Sequence, residues 1–167
     1  MSIFHKLRVK EVRRETVDAV SVSFDVPNEL EKEFRFKPGQ YITIQKNLQD
    51  SLLRRAYSIC SSPESGELRV AIKHVEKGRF SDYANKKLKE GDILDVAGPE
   101  GRFVLQVDAS NHKDYLAIAA GSGITPVISM IKAVIQSEKD SRFALIYGSK
   151  SGEKTIFKKE LDALVLS

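Results

Sequence analysis

At 167 residues, 41% hydrophobic and 30% charged, the chain is long enough for one good domain, or one domain plus part of another, and too apolar to be disordered. Its net charge of +4 is spread along the chain, and clusters such as Lys86-Lys87 and Lys158-Lys159 lie beside acids, which excludes a nucleic-acid-binding stripe while still suiting phosphate-bearing cofactors or an acidic redox partner. The single cysteine, Cys60, excludes an internal disulfide and a cluster held by about four thiolates; His5, His74 and His112 lack metal-ligand spacing. There is no apolar run of spanning length and no signal-peptide pattern, so the expectation is a cytoplasmic protein that does not enter a membrane.

Residues 6–12 and 19–26 read as strands, the second half-buried, with Val20, Val22, Phe24 and Val26 alternating with Ser21, Ser23 and Asp25. Phe34, Phe36 and the Pro38-Gly39 turn lead to a strand at 40–45, a polar loop at 46–53 and an extended segment from Arg55. A turn at Pro63–Gly66 precedes a strand at 68–75 rich in β-formers. Ser81 reads as the N-cap of a helix carrying Tyr83, Ala84 and Leu88, and 92–97 and 102–107 read as two more strands. Closely spaced strands with turns between them predict an antiparallel barrel or sandwich. After a polar linker at 108–113 the style changes. A short apolar strand at 115–120, a helix bearing Ile128, Ile131, Val134 and Ile135, a strand at 143–147 and a helix from about Thr155 give β-α-β-α, the start of a parallel sheet.

Three motifs carry chemistry. The first is Arg55-Ala56-Tyr57-Ser58-Ile59-Cys60-Ser61, an R-x-Y-S-x-x-S run whose period-two geometry sends Arg55, Tyr57 and Ile59 to one side. A guanidinium suits a phosphate, a tyrosine face suits a flat conjugated ring, and hydroxyls bond ring nitrogens. Alone, the run fits half of a flavin nucleotide site and an ordinary strand with a solvated arginine equally well. The second is Gly78-Arg79-Phe80-Ser81, a glycine loop opening a helix, which is either a pyrophosphate seat or a plain helix cap. The third, Gly121-Ser122-Gly123-Ile124-Thr125-Pro126, joins a strand end to a helix start, where glycines let a phosphate approach the backbone. Pro126 stands where G-x-G-x-x-G has its last glycine, so the dinucleotide signal is weak in isolation.

In this order and spacing the three motifs resemble ferredoxin–NADP⁺ reductase and its relatives. Within that superfamily the likeness is to the reductase components of bacterial oxygenases, the phenylacetyl-CoA oxygenase reductases among them. The resemblance implies an antiparallel flavin-binding β-barrel with one helix (residues 1–108), followed by an incomplete parallel α/β NAD(P)-binding domain (109–167). By the same resemblance Arg55 holds the FAD phosphate, with Ala56 beside it. Tyr57 packs on the isoalloxazine and Ser58 sits near N5 as the catalytic residue. The backbone at Ala71, Ile72 and Lys73 meets the nucleotide end, and Gly78, Arg79, Phe80 and Ser81 hold the pyrophosphate. Gly121, Ser122, Gly123, Thr125 and Pro126 line the meeting place of flavin and nicotinamide, with Thr125 reaching both. Ser149 and Lys150 fall where relatives read the adenosine 2′-position, and a hydroxyl plus a cation there favours NADPH over NADH.

The implied function is a flavoprotein reductase that moves electrons from NAD(P)H through FAD to an iron–sulfur or oxygenase acceptor. The pattern departs from the family in stopping at Ser167 after two β-α units, so the expectation is a truncated piece or proteolysed remnant of a longer reductase. Any 2Fe-2S cluster then belongs to the missing C-terminal part, since the C-x₄-C-x₂-C run is absent. Two other readings stay open at this point. One is a flavin-binding electron-transfer subunit without its own NAD(P)H oxidation. The other is a barrel joined to an unrelated α/β segment, with no cofactor.

Overall fold

The computed structural model describes residues 3–165; Met1 and Ser167, the outer bounds of the two expected units, lie outside them. Six strands form one antiparallel sheet: β1 (Phe4–Thr16), β2 (Ala19–Asp25), β3 (Tyr41–Leu48), β4 (Ser51–Ser58), β5 (Leu68–Lys73) and β6 (Ile93–Ala97). Their order is β4-β3-β6-β1-β2-β5. The two ends of that order meet where the chain beyond β4 turns onto β5: Ile59 bridges Val70, and the Cys60 N–H donates to the Arg69 carbonyl at 2.8 Å. The sheet therefore closes into the expected barrel at this point, while β4 itself pairs only with β3 among the described strands.

Alternation fills the barrel. Leu7 and Val9 point inward from β1 between exposed Lys6, Arg8 and Lys10, and meet Val22, Ile42, Ile44, Val70, Ile72, Leu94 and Val96, all almost wholly buried. Each such side chain contributes about 1.5–3 kcal/mol by leaving water. Helix α1 (Arg79–Lys86) plugs one end with Phe80 and Ala84.

Three expectations about the barrel are corrected. Residues 46–53 are not a loop but the arms and tip of the β3–β4 hairpin. Gln49 and Asp50 both take positive φ (51° and 58°), a turn whose twist matches the strands, without the Asn-Gly or Asp-Gly pair that announces it. Residues 102–107 form no strand, because β4 and β6 already occupy both edges of β3. The segment runs past the Pro38-Gly39 turn instead, with Leu105 N–H on the Pro38 carbonyl at 3.1 Å. β2 is buried on both faces: Ser21 and Ser23 are covered by Arg69, which donates to Ser21 Oγ at 2.9 Å and pairs with Glu11 and Glu67.

The second unit is a parallel pair, β7 (Asp114–Ala120) and β8 (Arg142–Gly148), with α2 (Ile124–Ser137) between them and α3 (Lys158–Val165) after them. A single 3-10 turn at Gly152–Lys154 delays α3 beyond the expected start near Thr155. Ile124, Val127, Ile128 and Ile131 of α2 share one apolar cluster with Ala19, Cys60 and Ala71 of the barrel and with Ile156 and Phe157. Leu116, Ile118 and Ile146 lie on the opposite, open face of the pair. No helix among the described residues is long and apolar enough to cross a membrane.

Candidate flavin and nucleotide site

The first motif occupies the end of β4. Arg55 lies opposite Ile44 and Tyr57 opposite Ile42, so both stand on the inner side of the hairpin, which folds over α1. The Tyr57 ring packs on Phe80, centroids 5.7 Å apart, and burial pushes its phenol up to about 12, with Arg55 pulling the other way. Arg55 is exposed, donates to the Arg54 carbonyl at 2.7 Å, and makes no ion pair among those between described residues. Ala56 is exposed, and Ser58, half-buried, ends the strand opposite Tyr41.

The second motif begins α1 earlier than its composition predicts. The cap is Gly78, and Ser81 is the third helical residue. Ser81 Oγ accepts from Val75 N–H at 3.1 Å and donates to the Gly78 carbonyl at 2.9 Å, so it ties the loop shut. A Cβ on Gly78 would come within 2.5 Å of that same Oγ, so the loop closes only on glycine. The first intrahelical bond runs from Asp82 N–H to the Gly78 carbonyl, which leaves the N–H groups of Arg79, Phe80 and Ser81 ahead of the ladder, at the positive end of the helix dipole. Beside them lies a cleft of about 330 Å³ lined by Leu48, Gln49, His74, Lys77, Gly78, Arg79, Asp82, Tyr83 and Lys87. Arg79 reaches across it to the Leu48 carbonyl at the hairpin tip. Arg55 does not line this cleft.

The third motif is a 3-10 turn, Gly121–Gly123, leading into α2, with Pro126 in the first helical turn. Gly121 takes φ +53°, and Ser122 and Gly123 are exposed at its mouth. Thr125 is buried and donates to the Ser122 carbonyl at 2.6 Å, so its hydroxyl hydrogen shapes the turn. Lys73 Nζ lies 3.9 Å from where a Gly121 Cβ would stand, which joins the end of β5 to this turn. Ala71 is buried in the shared cluster, and the Ile72 carbonyl accepts from Asn85 at 3.1 Å. Ala120 and Gly148 are register partners, so the Gly121 turn and exposed Ser149-Lys150 open at the same end of the parallel pair. That end is where α/β folds take nucleotides. Ser149 Oγ is engaged with Ser151 and Thr155.

Two groups escaped the reading of the sequence. Tyr147, on β8, donates its hydroxyl to the Gly121 carbonyl at 2.9 Å and holds the turn from behind. Glu138, 1% exposed at the end of α2, gathers Asp108 N–H (3.0 Å), Asn111 Nδ2 (2.7 Å) and Tyr115 Oη (2.9 Å), and so pins the linker between the two units. Burial would raise its carboxyl, but hydrogen bonds led by Asn111 win and hold it down at about 2. Nothing in the spacing of an isolated glutamate or tyrosine announces either role.

The residue types suit an FAD, although neither Tyr57 nor Arg55 lines the cleft itself. A half-buried aromatic face, three N–H groups ahead of a helix ladder and an adjoining cleft lie around one helix end, and a second glycine turn sits behind β5. Barrel, helix end and parallel pair together are the arrangement of an FAD-binding domain followed by an NAD-binding domain of the ferredoxin–NADP⁺ reductase type. The chain belongs to the oxidoreductase FAD-binding domain family, which matches residues 6–105, and residues 117–167 match the oxidoreductase NAD-binding domain. It is 45% identical to one of the subunits of 1,2-phenylacetyl-CoA epoxidase from Escherichia coli K12, over 96% of this chain and 45% of that protein. It is 34% identical to the ferredoxin reductase component of 3-ketosteroid-9-alpha-monooxygenase from Rhodococcus rhodochrous, over 95% of this chain and 44% of that one. The chain thus spans somewhat under half the length of these relatives. Among solved structures, phthalate dioxygenase reductase, a modular structure for electron transfer from pyridine nucleotides to [2Fe-2S], superposes with a TM-score of 0.77 at 27% identity, covering 95% of this chain and 47% of that one.

Proposed function

We propose that this protein is the flavoprotein reductase module of an oxygenase system, moving electrons from NAD(P)H through FAD to an iron–sulfur acceptor. The observation that carries the reading is the meeting of sequence-distant segments: Tyr57 on Phe80, and Lys73 on the Gly121 turn. Likeness to an epoxidase component and to a monooxygenase reductase component supports an oxygenase partner, of which phenylacetyl-CoA oxygenase is the leading example. In this reading residues 1–108 belong to the FAD-binding unit and 109–167 to the NAD(P)-binding unit, in keeping with the family matches at 6–105 and 117–167.

Bound FAD supplies acceptance of hydride from NAD(P)H and release of electrons one at a time, chemistry that no side chain offers. In this proposal Arg55 and Ala56 hold the phosphate, Tyr57 packs on the isoalloxazine, and Ser58 hydrogen-bonds beside the reacting edge. Gly78, Arg79, Phe80 and Ser81 present N–H groups to the pyrophosphate, and Ala71, Ile72 and Lys73 flank the nucleotide end. Gly121, Ser122, Gly123, Thr125 and Pro126 shape the seat where nicotinamide meets flavin, with Thr125 next to both. Ser149 and Lys150 select NADPH through its 2′-phosphate.

Rapid mixing of the FAD-loaded protein, in its full-length form, with NADPH tests this. Bleaching of the flavin is expected, faster with NADPH than with NADH. Lys150→Ala should raise KM for NADPH about tenfold, the worth of one charged contact of about 1.4 kcal/mol, and leave that for NADH alone. A flavin that stays oxidised with both nucleotides overturns the reductase reading and leaves a flavin-binding electron-transfer protein in its place.

A further inference from the structure

Helix α2 does more than present its N-terminus. Ser129, Lys132 and Gln136 lie at i, i+3 and i+7 on one stripe, and that stripe holds three successive residues of the chain leaving β4. Ser129 Oγ donates to the Ser61 carbonyl at 2.7 Å, Lys132 Nζ to the Cys60 carbonyl at 2.9 Å, and Gln136 bonds Ser62 Oγ. Cys60 is two residues beyond Ser58, the last residue of β4. Lys132 alone reaches further. Its ammonium pairs with Glu160 of α3 at 2.8 Å and lies 6.0 Å over the ring of Phe157, and its side chain is only 16% exposed. Phe157 is itself buried and takes φ +62°, an unusual backbone state for a bulky residue, just where the chain leaves the Ser149-Lys150 turn for α3.

One half-buried cation therefore ties the end of the flavin strand, the helix that starts at the glycine turn and the helix that follows the 2′-reading turn. An ammonium that bonds a carbonyl and a carboxylate together is held by two partners at once, even though the Glu160 carboxylate stays 42% exposed. Resting on the reductase reading above, we propose that Lys132 is a positioning residue for hydride transfer, fixing the approach of the nicotinamide seat to the flavin edge at Ser58. Reacting atoms need about 3–3.5 Å contact, and a misplacement of about 1 Å costs on the order of a hundredfold in rate. Lys132 touches no reacting atom and acts only through the Cys60 carbonyl and Glu160.

The test is rapid mixing of FAD-loaded K132M, K132R and E160Q variants of the full-length protein with NADPH. K132M should lower the saturating rate of flavin reduction by about tenfold to a hundredfold, with flavin content and the dissociation constant for NADPH unchanged within about twofold. The long-wavelength absorbance of nicotinamide stacked on flavin should weaken in parallel. K132R should recover most of the rate, and E160Q should fall between the two. A K132M rate within about twofold of the parent, or a loss that only tracks lost FAD or weakened NADPH binding, overturns the proposal. If K132M does not fold, E160Q decides: a parental rate and absorbance overturn it as well. A parent protein that NADPH fails to bleach strikes the reductase reading itself, a different outcome from a parent that reacts and a K132M that reacts equally fast.

Discussion

The rings of Tyr57 and Phe80 lie 5.7 Å apart and tilted by 32°, and this contact joins the strand carrying the R-x-Y-S run to the first turn of α1. Phe80 is 1% exposed and anchors α1 in the barrel, whereas Tyr57 keeps part of its ring open. A tyrosine seated on a buried phenylalanine is held at a fixed height, so the flat ring proposed to stack on it would meet an ordered face.

Arg55→Ala is expected to weaken FAD retention by about tenfold to a hundredfold, the worth of about 1.5–3 kcal/mol for a hydrogen bond to a charged group. The side chain is exposed and bonds only a neighbouring carbonyl, so folding should not change. Flavin released on gel filtration, set against an unchanged melting temperature, checks this; a fully yellow variant contradicts the role.

Ser58→Ala should leave FAD bound and slow its reduction by roughly tenfold, as loss of one hydrogen bond of about 1.4 kcal/mol in the transition state would. Single-turnover reduction at saturating NADPH measures it. Equal rates in the two proteins remove Ser58 from the chemistry.

Gly39→Ala should cost about 3 kcal/mol and lower the melting temperature by about 6–12 °C. At φ +99° an added Cβ would sit 2.1 Å from the Phe103 carbonyl and 2.4 Å from Met130 Cε, where the barrel turn meets both α2 and the 102–107 segment. Thermal unfolding of both proteins decides the matter.

Glu138→Gln should destabilise by about 2 kcal/mol near neutral pH, since an amide replaces a buried charged acceptor. The folded carboxyl is held at about 2 against an ordinary 4.5, so its contribution is complete above about 4.5 and is lost as the pH falls toward 2. Urea unfolding of the two proteins should therefore converge on acidification. A gap that persists unchanged at about pH 3 contradicts a charged Glu138.

The pattern of residues was enough for the barrel-then-α/β order, because period two and period 3.6 are written in where Val, Ile and Leu fall. The same holds for the glycine loop at 78–81 and the glycine turn at 121–126, which depend on local backbone freedom. Local propensity could not say that 102–107 would find both edges of β3 taken, nor that Gln49 and Asp50 would turn a hairpin. Those outcomes rest on which strand sits beside which, information that no short window contains. The clamps are of the same kind. Lys132 on the Cys60 carbonyl spans 72 positions and Tyr147 on Gly121 spans 26, and each becomes visible only when packing removes the water that would otherwise satisfy those groups. Sequence alone determined the order of barrel and α/β unit and the glycine turns; the tertiary structure alone decided which remote segments meet, because contact between them is set by burial and not by spacing.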